Sequence, residues 1–331
     1  MARVLGLGYV PLDVWEGDEA PAPCVGGSTA NTLALLSLLG HRATLLGAVG
    51  GGQAGRQCRA ELANLGVDVD GVICRKRRRT KRIRITVGEE GERIFHISRR
   101  NVAQAPDRRE IRCLGVPVED FDCYHTALAT RCSFDIARRS QWTSYNGQRC
   151  YGRKSEILLH RQLIEACRVI VLPAGYLSVL LGLKGEHPVE ARVLVLFRQP
   201  ELRIVTMGVA GLVVWYKGRF HYMPALDLKR YGLQVCDTTG AGDAFHAGLL
   251  HRLLRSGSSL GGWSERQVLS ACRFGVQISA YACSRFGTKN LLDKRAYAEM
   301  FDGAPRAVAI DPDTPLFRPS SVRQPMCRGE G

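Results

Sequence analysis

The chain has 331 residues, enough to bury a sizeable core in one large domain or two smaller ones. At 45% hydrophobic and 23% charged it has the composition expected of a soluble globular protein, and no apolar run is long enough for a helix to span a bilayer, so no membrane partner is expected. The net charge of +15 suits anionic partners, but the basic residues are spread along the chain without a nucleic-acid-binding motif, so specific nucleic-acid recognition is not expected.

Val4 to Val10 reads as a buried first strand, ended by Pro11-Leu12-Asp13. An Asp at the end of an early strand stands where α/β folds place ligand contacts; a turn Asp is the plainer alternative. The run Gly26-Gly27-Ser28-Thr29-Ala30-Asn31 opens a helix over Thr32 to Leu39, which Gly40 closes. A glycine pair lets backbone and a small molecule approach closely, and Asn31 offers both a donor and an acceptor. Ala43 to Val49 is a second strand, and the loop from Gly50 to Gly55 leads into a helix ending near Leu65-Gly66.

A basic run follows, from Arg75 to Arg79 and on to Lys81, Arg82 and Arg84. A solvated turn between strands is the preferred reading, ahead of a specific anion site. Arg82 to Val87 and Glu92 to Ile97 alternate as strands, with Glu89-Glu90-Gly91 as their turn. Residues 105 to 175 are less regular. Phe121 to Leu128 reads as a strand and Ser133-Phe134-Asp135 as the start of another, leaving Ala129 to Cys132 too short for a helix between them. Such a loss would threaten a βαβ unit. The polar stretch from Arg138 to Ser155 has no clear period, Ile157 to Cys167 is a helix, and Val169 to Leu172 is a strand. Arg203 to Gly208 is a strand and turn, followed by Gly211 and a hairpin from Leu212 to Tyr222.

The most informative stretch is Asp237-Thr238-Thr239-Gly240-Ala241-Gly242-Asp243. It opens a strong helical pattern through Ala244, Phe245, Ala247, Leu249, Leu250, Leu253 and Leu254. A helix start leaves backbone N–H groups without intrahelical partners and carries the positive end of the macrodipole. Glycines there let the backbone come close to a phosphate. A carboxylate at Asp243 is poorly placed to bind phosphate itself. It is well placed to take a proton from a hydroxyl attacking a phosphoryl group held by the amides. A capped helix start is the plainer alternative, but two Asp, two Thr and two Gly within seven residues exceed what a cap needs. Glu265 to Cys283 is a further helix with one apolar face, Asp293 to Met300 a last one, and residues 304–331 are rich in Pro and Arg, as in a loosely ordered tail. The alternation of strands and helices argues for an α/β fold with a mainly parallel sheet and helices on both faces. Twelve cysteines without a C-x-x-C pair, and an N-terminus without a signal-peptide pattern, lead to the expectation of reduced thiols and a cytoplasmic protein.

The stretch from Asp237 to Asp243 resembles the C-terminal signature of the ribokinase-like (PfkB) family of carbohydrate and nucleoside kinases, and Gly26-Gly27 with Asn31 resembles its N-terminal one. The resemblance covers most of residues 3–100 and 200–302 and implies a ribokinase-like three-layer kinase domain over residues 1–302. A small β-stranded lid would come from about 10–25 and 80–100, with 303–331 as a tail. It implies ATP-dependent phosphorylation of a small sugar: Asp243 as general base, Gly240, Ala241 and Gly242 as the anion hole, and Asp13, Gly26, Gly27 and Asn31 holding the acceptor. Thr206, Gly208, Gly211, Thr239, Cys283 and Gly287 would lie along the nucleotide. Mg²⁺ would accompany ATP, and Asp237 would border a site for a monovalent cation, K⁺. Cys283-Ser284-Arg285-Phe286-Gly287 resembles a stretch of the ketohexokinase and sulfofructose kinase relatives, which favours a ketose; a nucleoside acceptor and an impaired sugar- or nucleotide-binding protein stay open, as does a homodimer. The basic run beside the lid permits an anionic group on the substrate. Two departures stand out: Gly52 replaces a usual Asp, and Pro173-Ala174-Gly175-Tyr176 stands where the family often has Asn-x-x-Glu. His246, within an apolar helix face, is expected to be packed and not catalytic.

Overall fold

The computed structural model describes residues 1–17, 20–87, 93–98, 100–148, 153–183, 188–257, 262–285, 306–318 and 327–329. The N-terminal half contains β1 (Arg3–Leu7), β2 (Leu12–Trp15), β3 (Cys24–Val25), α1 (Ser28–Leu38), β4 (Arg42–Gly50), α2 (Gln53–Asn64), β5 (Val67–Asp68), β6 (Val72–Arg75), β7 (Arg82–Val87), β8 (Arg93–Ile97), α3 (Arg108–Leu114) and β9 (Cys123–Thr126). The remainder contains α4 (Arg131–Arg139), β10 (Thr143–Asn146), α5 (Lys154–Glu165), β11 (Val169–Pro173), α6 (Ala174–Leu181), β12 (Val189–Glu190), β13 (Leu202–Thr206), β14 (Leu212–Tyr216), β15 (Arg219–Met223), α7 (Ala241–Arg255), α8 (Glu265–Cys283), β16 (Val308–Ile310), β17 (Pro315–Phe317) and β18 (Cys327–Gly329).

The central sheet runs β16-β15-β14-β13-β11-β10-β9-β1-β4-β5, with β6 also on β4. Pairing is parallel from β13 across to β5 and antiparallel from β13 to β16. Successive residues of a strand point to opposite faces, and here both faces are covered. In β11, Val169 and Val171 join one core with α1, α7 and α8, while Ile170 and Leu172 join another with α4, α5 and α6. That is the three-layer architecture the apolar strands imply. A second sheet, β18-β8-β7-β2-β3, is the expected lid, with β7 and β8 as an antiparallel pair.

Two expectations are corrected. The helix thought missing after β9 is present as α4. Thr130 caps it, its hydroxyl accepting from the Ser133 amide at 3.1 Å, so Ser133 to Asp135 are helical. The next strand, β10, lies ten residues further on. Its residues Thr-Ser-Tyr-Asn are all buried yet mostly polar, which hid it from a search for apolar runs. The tail is also structured where it is described: β16 extends the central sheet beside β15, β17 pairs with β12, and β18 lies parallel to β8. The expected turn at Glu89-Glu90-Gly91 and helix over Asp293 to Met300 lie outside the described residues.

Candidate active site

The proposed acceptor residues gather where β1 ends. Asp13 lies on β2 and is buried. A side chain at Gly26 would overlap its carboxylate, the added Cβ falling 2.1 Å from Oδ2. Gly27 adopts φ +99°, and a Cβ there would sit 2.3 Å from the Tyr9 carbonyl oxygen. The glycine pair is therefore what lets the start of α1 pass this close to β2. One turn into α1, the Asn31 amide donates to Oδ2 of Asp243 at 2.9 Å. Its own Oδ1 is buried and has no partner among the described residues.

Asp243 lies in the first turn of α7 and is 5% exposed. The helix starts on Gly240, which adopts the left-handed φ of +77°. Besides Asn31, the carboxylate accepts from the Ser28 hydroxyl and from Asn146 Nδ2, the latter at 3.3 Å. Helix α7 is thus tied to α1 and to the end of β10 through one side chain. The backbone before it is partly committed: the Ala241 amide donates to the Thr238 carbonyl at 3.2 Å. A Cβ at Gly242 would meet open space, so the first turn of α7 borders a free volume there. A helix start bordering open space at Gly242 fits a phosphate group, and the Asn31 oxygen beside Asp243 fits a hydroxyl donor.

The residues expected along the nucleotide fall at the far end of the same sheet edge. Thr206 ends β13, and Gly208 (φ +61°) and Gly211 (φ +83°) shape the turn into β14. From β1 to β13 there are four strand spacings, about 19 Å. Cys283 contributes backbone: its carbonyl accepts from the Cys236 amide at 2.8 Å and the Asp237 amide at 3.2 Å, joining the end of α8 to the segment before α7. Burial, with Asp237 nearby, raises its thiol to about 11. Asp237 is buried, and its Oδ1 accepts from the Thr239 amide at 2.9 Å, a local turn that shapes the cradle. Among the described residues no three His, Cys, Asp or Glu side chains converge as a metal site. A divalent ion fits this arrangement as one brought on nucleotide phosphates. Gly287 lies outside the described residues.

Ser28 and Asn146 are the contacts that sequence reasoning missed. Ser28 lay within the Gly-Gly-x-x-x-Asn pattern, so its place beside Asn31 on the first turn of α1 was a usable signal. Asn146 had none, being in the aperiodic stretch. Beneath it, the Ser144 hydroxyl contacts His246 Nε2 and lies 3.4 Å from His125 Nδ1. Burial lowers His125 to about 3 and holds His246 well below its ordinary value, so both are neutral. His246 is packed, as its position in the helix implied. Tyr176, at the position of the family's Glu, points into the protein. Its hydroxyl lies 2.8 Å from His160 Nδ1 and 3.2 Å from the Tyr145 hydroxyl.

The basic run is largely a solvated, locally paired segment. Arg75 pairs with Glu110 at 2.7 Å, Arg78 donates to Asn101 and Arg84 pairs with Glu16. In the lid, Asp13 is in register with Ile83, so Arg82 and Arg84 point to the opposite face from Asp13. Those two arginines therefore lie on the side of the lid away from Asp13.

Known proteins resemble this chain over most of its length. A fructokinase of Escherichia coli is 27% identical over 320 residues, covering 90% of this chain and 98% of its own. An aminoimidazole riboside kinase of Salmonella typhimurium is 28% identical over 283 residues, covering 77% and 82%. Among solved structures, the fructokinase of Vibrio cholerae O395 in its fructose-, ADP- and calcium-bound form superposes with a TM-score of 0.73 at 22% identity, covering 91% of this chain and 99% of that one. Residues 24–295 match the pfkB family carbohydrate kinases, and the chain belongs to that family.

Proposed function

We propose that this kinase transfers the terminal phosphoryl group of ATP to a hydroxyl of a small sugar, with a ketose favoured. The observation that carries the reading is the Asp243 carboxylate. It is bonded to Asn31 and Ser28 on the acceptor side and stands one residue from Gly242, where the helix start borders open space. ATP supplies the electrophilic phosphorus and an ADP leaving group. Asn31 and Asp13 hold the acceptor. Asp243 accepts the proton of the attacking hydroxyl, and the Gly240 and Gly242 amides meet the charge on the phosphoryl oxygens. Thr206, Gly208, Gly211, Thr239 and the Cys283 region flank the nucleotide. Mg²⁺ comes with it, and Asp237 shapes the loop beside a monovalent cation. The ketose preference draws on the fructokinase relatives and the sequence of the Cys283–Gly287 stretch. A riboside acceptor is the second reading, favoured by the aminoimidazole riboside kinase relative.

The test is ADP release over a panel of ketoses, aldoses and nucleosides, with Asp243→Asn beside the wild type. The expected result is turnover on a ketose, and a kcat lower by about 10² or more in the variant with sugar affinity largely kept. Wild-type turnover in Asp243→Asn would remove the base assignment. Turnover on nucleosides alone would select the second reading.

A further inference from the structure

A groove of about 770 Å³ lies away from Asp243, in the helical layer on the other face of the sheet. It opens between α4, α5, the end of α6 and the 3-10 segment Ala191–Leu196. Phe134, Leu181, Leu196 and Phe197 form its apolar walls. Leu196 is 62% exposed, so apolar surface here faces solvent. Two arginines, Arg138 from α4 and Arg161 from α5, line the same groove. Neither is ion-paired among the described residues, and the nearest approach of Arg138 to a ring is 5.8 Å, over Phe134. One carboxylate, Glu165, also lines it. Its two oxygens accept from the Arg198 and Gln199 amides at 3.2 and 2.9 Å, and so it is engaged in closing a loop. The groove thus has the size and apolar lining of a small-molecule site and an uncompensated positive charge at its rim.

We propose that this groove binds a small amphipathic anion, with an aliphatic or aromatic body against Phe134, Leu196 and Phe197 and one carboxylate, sulfonate or phosphate head held by Arg138 and Arg161. The planar guanidinium suits each of those heads, because all present oxygen pairs that two parallel N–H groups can meet. The groove shares no residue with the acceptor or nucleotide segments, so its ligand and the kinase substrates bind independently.

The probe is 8-anilinonaphthalene-1-sulfonate, an aromatic body with one sulfonate, followed by fluorescence on the full-length protein with and without saturating ADP. The expected result is saturable binding that ADP leaves in place. Affinity falls at least tenfold in Arg138→Ala/Arg161→Ala and in Leu196→Asp. These three side chains are exposed, so thermal midpoints check that the variants fold; Arg161→Gln alone is a milder variant for which a smaller loss is expected. Octanoate and octyl phosphate displace the probe, whereas 1-octanol at the same concentration does not. Unchanged affinity in the variants, displacement by ADP, or equal displacement by octanol would each overturn the proposal. Turnover plays no part in the readout, so the result is independent of the assignment of Asp243.

Discussion

The Asp243 carboxylate accepts hydrogen bonds from two separate parts of the chain, Ser28 and Asn31 on α1 and Asn146 at the end of β10. A buried carboxylate needs such donors, because an unsatisfied charge is costly. Two of these donors come from the segment proposed to hold the acceptor, so the same bonds orient the proposed base. Glycine identity is decisive nearby. Gly27→Ala would place a methyl 2.3 Å from the Tyr9 oxygen at φ +99°, which an L-residue avoids. The expected loss is about 2–4 kcal/mol, read as a lower denaturant midpoint. Gly52 is the opposite case. It precedes α2 at φ −82°, caps it without a side-chain bond, and has open space where a Cβ would go. Gly52→Asp, which restores the residue usual in the family, is expected to fold normally. A thermal midpoint that is unchanged or slightly raised, by a few tenths of a kcal/mol of capping, would show this.

Among the helices, the position of Asp243 depends on how α7 meets α8. A Cβ at Gly248 would come 2.9 Å from the Gly275 backbone, and one at Gly275 would come 2.7 Å from the Phe245 carbonyl oxygen. The two helices therefore touch backbone to backbone, and nothing larger than glycine fits without parting them. Gly275→Val is expected to cost about 1–3 kcal/mol by overpacking. Because the first turn of α7 carries the proposed base, kcat should fall more than the stability loss alone explains at a temperature where the variant is fully folded. Parallel unfolding and ADP-release measurements check both. The crossover through α4 and β10 shows the limit of periodicity. A capped nine-residue helix and a buried polar strand both escape a pattern that looks for apolar runs, yet together they deliver Asn146 to the site.

At the scale of the molecule, buried histidines set the acid stability. His41 and His251 share a 3.0 Å hydrogen bond, and burial lowers both to about 4. His125 and His246 are lowered further. A lowered value means the folded state stays neutral while the unfolded chain takes up protons near pH 6.5. Between pH 6.5 and about 4 the unfolded state binds more protons, so stability is full above that window and falls as pH drops through it. Each such histidine contributes a slope of about 1.4 kcal/mol per pH unit. The thermal midpoint is expected to fall markedly from pH 7.5 to pH 5, and replacing the His41–His251 pair by Gln should flatten that dependence. A pH-independent midpoint would contradict it.

The sequence by itself determined the α/β class, the lid pairing of β7 and β8, and the Asp237–Asp243 segment, because these rest on local rules: period, turn chemistry and the geometry of a helix start. By resemblance it also grouped Asp13, the Gly26–Gly27 pair and Asn31 as the expected acceptor residues. Only the tertiary structure decided that Asn31 and Ser28 touch Asp243 across more than two hundred residues, that Asn146 joins them, and that Tyr176 turns into a buried cluster with Tyr145 and His160. It likewise decided that Arg82 and Arg84 face away from Asp13. The reason is that such contacts depend on strand order and register, which no local stretch of sequence encodes.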